Sequence, residues 1–405
     1  MGILFLTNFY VPIPLANGVC VHSLALELIK EGVDVYVICF KRKNEKKEEV
    51  IEGVNIIRIP MPLYQRLLFF GDDNKRRWYG TPIKRIGVLI SRIKKAIHVN
   101  EYPLRDMRVV DHYIKKTEEL VLEQKINSLI SVYTPYEAVK AGSIIKKKHP
   151  NIGCLLYSLD TLSNESGKGL LSLRFRSSFG EKQEFRFFDS FDRLILMNCH
   201  RSHYCNEKFK KYQGKMFFAD FPLFIRNCSN GCSLNEKTIV FTGSLYRTIR
   251  NPKKALEILS PELDDYSLHF YGFSDCKEII DAYSKRHPGH IFDHGLVSHT
   301  EALDAMYRAS FLLSIGNQNT DMVPSKIYEY AATGKPIIHI YNDENDSCLN
   351  VLKEYGNSIC ILASSEINQE NLHDFLITAK ECDFAVVKDK FRCSTPEYTT
   401  RLLKL

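Results

Sequence analysis

Apolar and polar positions along this chain follow two alternating rhythms. Short, almost wholly apolar runs recur at Ile3–Thr7, Val33–Phe40, Asn55–Ile59, Ser128–Val132, Cys154–Ser158 and Arg193–Met197. Runs of this kind predict strands buried on both faces of a parallel sheet. Between the first two, Val21, Leu24, Ala25 and Leu28 recur at helical spacing and Gly32 supplies a stop. That is the grammar of a βαβ unit. A polar stretch, Asn227–Glu236, breaks the pattern and marks a boundary. The rhythm then restarts with apolar runs at Thr238–Thr242, Leu268–Tyr271, Phe311–Ile315 and Ile337–Tyr341, and helical patterns at Lys253–Leu259 and Glu301–Arg308. The simplest architecture is α/β, with two Rossmann-like domains facing each other across a central cleft. The expected divisions are 1–215, a linker at 216–236, a second domain at 237–385, and a C-terminal segment at 386–405 whose Pro396–Leu405 end predicts a helix.

The densest polar pattern lies between two runs of the second half. Asp321-Met-Val-Pro-Ser-Lys-Ile-Tyr-Glu329 leads into Tyr330-Ala-Ala-Thr-Gly-Lys-Pro-Ile-Ile338. A helix opening here would start at the carboxyl ends of a parallel sheet, where ligands of open α/β sheets bind. The free amides of its first turn, beginning at Ser325, attract anions. Lys326 and Glu329 are three apart and share a helix face. A ligand carrying phosphates and a sugar could meet amides, a cation and two carboxylates, Asp321 and Glu329, at once. An exposed ion pair and a helix stop at Gly334 account for the same residues without any ligand. The strand before and the Thr-Gly-Lys-Pro strand entry after favour the nucleotide-sugar site.

The segment resembles the carboxylate-x7-carboxylate motif of the GT-B glycosyltransferases, above all the retaining family 4 and its bacterial members that assemble polysaccharides and lipid-linked glycans. Those read Pro-x-Lys-x-x-Glu-Tyr followed by Gly-Lys-Pro, as does this chain from Pro324 to Pro336. The resemblance implies a GT-B fold, with a C-terminal helix returning to the first domain. It also implies an enzyme that moves a sugar from a nucleotide diphosphate sugar, UDP ahead of GDP, to a saccharide or lipid-linked saccharide with retention. Glu329 would bind the ribose hydroxyls and Asp321, standing where Glu is usual, the donor sugar. Gly243 ends the first strand of the second domain, and the family's arginine position after it holds Ser244. Arg250 fits the next cationic slot, and Arg247 would substitute for the arginine absent at Ser244. Leu296 and Val297 would contact the base. Asn17 and Gly18 match the glycine-bearing loop near phosphate and acceptor, and Asp160 would orient the acceptor hydroxyl or act as a base. Two further readings share this fold: a nucleotide-sugar epimerase, and a degenerate subunit that binds without turnover.

Composition narrows the alternatives. The chain has 405 residues, 44% hydrophobic and 25% charged, and a net charge of +7. That is a globular protein too long for one ordinary core. The modest positive charge suits an anionic ligand or membrane surface, and no nucleic-acid motif accompanies it. The chain contains no Asp-x-Asp, so no metal is expected, and cations and helix amides must neutralise a leaving diphosphate. The loop after the first strand lacks Gly-x-Gly-x-x-Gly, which argues against nicotinamide chemistry, and no cofactor is expected. The start, Met1–Thr7, reads as a buried strand rather than a leader, and the twelve scattered cysteines read as reduced thiols. The expected location is therefore cytoplasmic. One segment extends it to the inner face of the membrane. Across 75–97, lysines and arginines interleave with Trp78, Ile83, Ile86, Leu89, Ile90 and Ile93 at helical spacing. Such a helix can lie in an anionic bilayer interface or pack between domains.

Overall fold

A computed structural model describes residues 2–12, 15–75, 77–161, 163, 172–226, 237–317, 324–364 and 369–404. It divides into two compact units, Met1–Pro222 with Pro396–Leu405, and Leu223–Thr395.

In the first unit, strands β1 (Gly2–Leu6) and β2 (Asp34–Lys41) flank helix α1 (Ala16–Lys30). A hairpin of β3 (Glu48–Ile51) and β4 (Val54–Pro60) leads into α2 (Leu63–Asp73), α3 (Gly80–Ile97) and α4 (Met107–Leu122). Then come β5 (Ser128–Tyr133), α5 (Tyr136–Lys148), β6 (Gly153–Ser158) and α6 (Leu173–Ser190). The sheet is completed by β7 (Arg193–Met197), the short α7 (Arg201–Tyr204) and β8 (Met216–Ala219). The order across the sheet is β3-β4-β2-β1-β5-β6-β7-β8. Every pairing is parallel except β3 with β4. Central strands β1 and β5 are buried along their whole length, which is why they appear in the sequence as largely apolar runs. One face packs Leu4, Leu129, Leu156 and Leu194 against Val110, Tyr113, Val139 and Phe188 from the helices. Tyr113 also donates from its hydroxyl to the carbonyl of Thr7 at 2.6 Å, tying α4 to the outgoing end of β1.

The second unit repeats the plan. Its elements are β9 (Thr238–Thr242), α8 (Lys253–Leu259), β10 (Ser267–Tyr271), α9 (Lys277–Arg286), β11 (Ile291–Gly295) and α10 (His299–Arg308). They continue with β12 (Phe311–Ile315), α11 (Lys326–Thr333), β13 (Ile337–Tyr341), α12 (Cys348–Tyr355), β14 (Ser358–Leu362), α13 (Gln369–Thr378) and α14 (Phe384–Lys390). All strands run parallel in the order β11-β10-β9-β12-β13-β14. In order of appearance that is 3-2-1-4-5-6, the dinucleotide-binding arrangement.

The last helix, α15 (Pro396–Leu403), belongs to the first unit, where it packs on α1 and β8. Arg193 fixes it by donating from Nη1 to the carbonyls of Leu402 and Lys404, both at 2.7 Å. Among the described residues no helix is long and apolar enough to cross a membrane.

The 75–97 segment resolves into the end of a helical hairpin. Helix α3 packs antiparallel on α2 through glycines: a Cβ at Gly87 would stand 2.9 Å from the carbonyl oxygen of Tyr64 and 3.1 Å from Cβ of Leu67. That contact face is distinct from the apolar stripe. Ile86, Leu89, Ile93 and Ile97 are 43–70% exposed and follow one line along α3, with Arg85 and Arg92 beside it.

Candidate functional site

In an open parallel sheet the chain leaves neighbouring strands in opposite directions at one point, and the crevice at their carboxyl ends is the place for a ligand. In the second unit that point lies between β9 and β12. The two strands pair at Phe311 with Ile239 and Leu312 with Val240, near their starts. Farther on, the amide of Thr242 is met by a side chain instead: it donates to the hydroxyl oxygen of Tyr330 at 2.7 Å. Tyr330 is fully packed on α11, so this bond anchors that helix at the crevice.

Arg250, from the loop after β9, spans the opening. It donates from Nε at 3.2 Å and from Nη2 at 2.8 Å to Oδ1 of Asn317, which follows β12. No carboxylate lies at ion-pair distance from Arg250 among the described residues. Burial lowers its pKa, and the nearby Tyr330, Cys348 and Asp346 act in the opposite direction. Arg250 is half-buried, and a partly desolvated guanidinium without a carboxylate favours an anion beside it. Beside it, Gly243 has φ of 146°, in the region favouring glycine. A Cβ there would come 3.5 Å from Arg250 Nη1, so the missing side chain keeps that nitrogen uncovered.

Helix α11 opens at the same crevice, with Ser325 at its start. Lys326 Nζ donates to Glu329 Oε2 at 2.7 Å, and Glu329 is 9% exposed. Because Glu329 is nearly buried, a ligand that draws Lys326 away must itself satisfy the carboxylate. The helix ends at Gly334 with φ of 77°, as its sequence predicts.

Three residues missed by sequence reasoning brace this floor. His339, on β13, accepts or donates through Nδ1 with Ser314 Oγ at 3.0 Å, and its Nε2 stands 3.4 Å from Asp346 Oδ1. Burial raises the Asp346 pKa, but His339 and the Cys348 amide bring it below the ordinary carboxylate value. The loop carbon of Gly316 lies against this carboxylate and against Tyr341, so a side chain there would collide with both. A histidine inside the apolar run Ile337–Tyr341 was the available signal, whereas Asn317, two residues past β12, carried none.

The remaining expected residues are distributed as follows. Arg247 is turned away onto α9: its amide donates to Asp275 Oδ1 at 2.8 Å, its Nε to the Asp275 carbonyl at 3.2 Å, and its guanidinium pairs with Glu278. Leu296 and the half-buried Val297 follow edge strand β11, and Leu296 is 83% exposed. Asp321 lies outside the described residues.

On the first unit the equivalent reversal lies between β1 and β5. Asn17 sits in the first turn of α1 and donates from Nδ2 to the carbonyl of Thr134, just past β5, at 3.2 Å. Gly18, one residue on, is buried. Asp160 follows β6, and its carboxylate has no hydrogen-bond partner among the described residues; burial raises its pKa. Perturbed, unpaired carboxylates at the carboxyl end of a sheet are candidates for chemistry.

No protein-family model matches the sequence, and no curated protein sequence does. Solved structures do match in shape. HepE of Anabaena, solved with UDP and glucose, aligns over 100% of this chain and 99% of its own, with a TM-score of 0.58 and 11% identity. WaaG, a glycosyltransferase involved in lipopolysaccharide biosynthesis, aligns over 100% of both chains at a TM-score of 0.53 and 12% identity. A UDP-N-acetylglucosamine 2-epimerase aligns over 98% of this chain and 92% of its own, at a TM-score of 0.54 and 11% identity. The chain has the fold of the GT-B glycosyltransferases, built from two Rossmann-like units.

Proposed function

We propose that the protein is a glycosyltransferase that takes a sugar from a nucleotide diphosphate sugar, with UDP ahead of GDP, and passes it to a saccharide or lipid-linked saccharide with retention. The observation that carries this reading is Arg250, half-buried without a carboxylate partner and held by Asn317 where β9 and β12 diverge. A diphosphate would supply the missing anion. Arg250, Lys326 and the first amides of α11 would bind it, and each such donor aimed at developing charge contributes ~3 kcal/mol. Glu329 would release Lys326 to the phosphates and accept hydrogen bonds from the ribose hydroxyls. Asp321 would contact the donor sugar.

In the transfer, the bond from the anomeric carbon to the diphosphate oxygen breaks and its electron pair leaves with the diphosphate. The acceptor hydroxyl oxygen forms the new bond and gives up its proton. Asp160, on the first unit, would orient that hydroxyl or take the proton, and its raised pKa suits it to hold one. Asn17 and Gly18 would line the approach of phosphate and acceptor. The exposed stripe of α3, with Arg85 and Arg92 beside it, would rest on an anionic membrane surface where a lipid-linked acceptor resides.

The test is product analysis with UDP- and GDP-sugars in the presence and absence of saccharide acceptors. A glycosylated acceptor is expected. Release of a free sugar epimer without acceptor would instead place the protein with the epimerases that share the fold.

A further inference from the structure

A second site lies in the first unit, away from the residues assigned above. A cavity of about 1020 Å³ opens between the ends of β2 and β4, the loop that joins β2 to β3, and helices α2 and α4. Its wall is chemically divided. Ile59, Met61, Phe69 and Phe70 form an apolar side, and Phe70 is 48% exposed at the rim. The other side is cationic. Arg42, Lys43, Lys47, Arg66 and Lys115 line it, and none has an ion-pair partner among the described residues.

The acids on the same wall are mostly spent. Glu45 lies 3.2 Å from buried Arg58, Glu119 lies 2.7 Å from Lys116, and Glu48 lies 3.7 Å from that same Lys116. Asp73 is left to face the unpaired cations. Arg42 is the most constrained of them. Its guanidinium sits 4.8 Å from the ring centres of both Phe9 and Phe69. Its buried Nε has no hydrogen-bond partner among the described residues. The two rings hold the cation in place but offer Nε no acceptor.

A cavity with unpaired cations on one side and aromatic and thioether groups on the other fits one molecule that is both anionic and apolar. We propose that this cavity binds the phosphorylated end of an amphiphile, a prenyl or acyl chain ending in a monophosphate or diphosphate. The phosphate lies among Arg42, Arg66 and Lys115, and the chain leaves over Phe69 and Phe70. This deepens the acceptor side of the transferase reading and rests on that reading only for the amphiphile's role as acceptor; the binding site itself stands on the cavity alone.

The test titrates the full chain with farnesyl diphosphate, with inorganic pyrophosphate and with farnesol, for wild type, Arg42→Ala and the double variant Arg66→Glu/Lys115→Glu. The double variant alters exposed side chains and guards against a folding defect at Arg42, which packs on Phe9 and Phe69. Saturable binding of farnesyl diphosphate is expected, weakened at least tenfold in the double variant, with pyrophosphate and farnesol each binding more weakly. Equal affinity in wild type and double variant would overturn the proposal, as would farnesol binding as tightly as its diphosphate. Binding only to phosphatidylglycerol vesicles, with no saturable farnesyl diphosphate site, would also overturn it. Glu329→Ala separates the two readings: it is expected to leave farnesyl diphosphate binding intact while nucleotide binding falls. Retained farnesyl diphosphate binding in a chain that binds no nucleotide would support the cavity and sink the transferase.

Discussion

The account turns on a few side chains whose partners decide their value. Asn317 fixes Arg250 through two hydrogen bonds to one oxygen. Hydrogen bonds to a charged group contribute about 1.5–3 kcal/mol. Asn317→Ala should therefore cost about 1.5–3 kcal/mol of stability and weaken nucleotide diphosphate binding by roughly tenfold or more in calorimetric titration. An unchanged affinity would remove Asn317 from the site. Asp160 allows a test by pH. Burial raises its folded-state pKa. The stability it contributes is thus fully present below the ordinary carboxylate pKa and is lost as pH rises through its raised value. Asp160→Asn should be more stable than wild type at neutral pH, equal to it in strong acid, and less active throughout; urea unfolding across that range reads the difference. At this scale the sequence singles out candidates where chemistry and spacing coincide, as for Lys326, Glu329 and Arg250, whose roles are proposals. It was not legible for Asn317, Tyr330 and the His339–Asp346 brace, because their role comes from which strand ends the topology brings together.

Elements were legible in proportion to their burial. The central strands β1, β2, β5, β6, β9, β12 and β13 stand out because both faces are largely covered and most positions are apolar. The strands the periodicity did not reveal, β3, β8, β11 and β14, all lie at sheet edges, where fewer positions need be apolar. Strand β3 reads Glu-Glu-Val-Ile and is half in solvent, and β14 has no buried position. The helical hairpin makes the clearest prediction at this scale. Gly87→Leu would push a side chain into Tyr64 and Leu67, and overpacking of this kind costs about 1–3 kcal/mol. Thermal denaturation should show the loss. Leu89→Gln with Ile93→Gln alters exposed positions instead. It should leave stability unchanged and reduce sedimentation with anionic vesicles several-fold; undiminished sedimentation would take the membrane contact away from α3.

At the scale of the whole molecule, the two units share one plan: parallel strands leave in opposite directions from β1 and β5, and again from β9 and β12. Each reversal carries a polar side chain linking the two strand ends, Asn17 to Thr134 in one and Arg250 to Asn317 in the other. The repeated rhythm of apolar runs made this doubling readable from sequence, whereas the strand order that creates the crevices depends on pairings between residues far apart in the chain. The most direct test of the central claim is thermal unfolding of wild type and Glu329→Ala with UDP, GDP, their sugar conjugates and NAD. A ligand at 100 times its dissociation constant should stabilise the protein by ~2.7 kcal/mol. The account predicts stabilisation by a nucleotide diphosphate, with UDP ahead of GDP, that is lost in Glu329→Ala; a response to NAD alone, or none to any nucleotide, would contradict it.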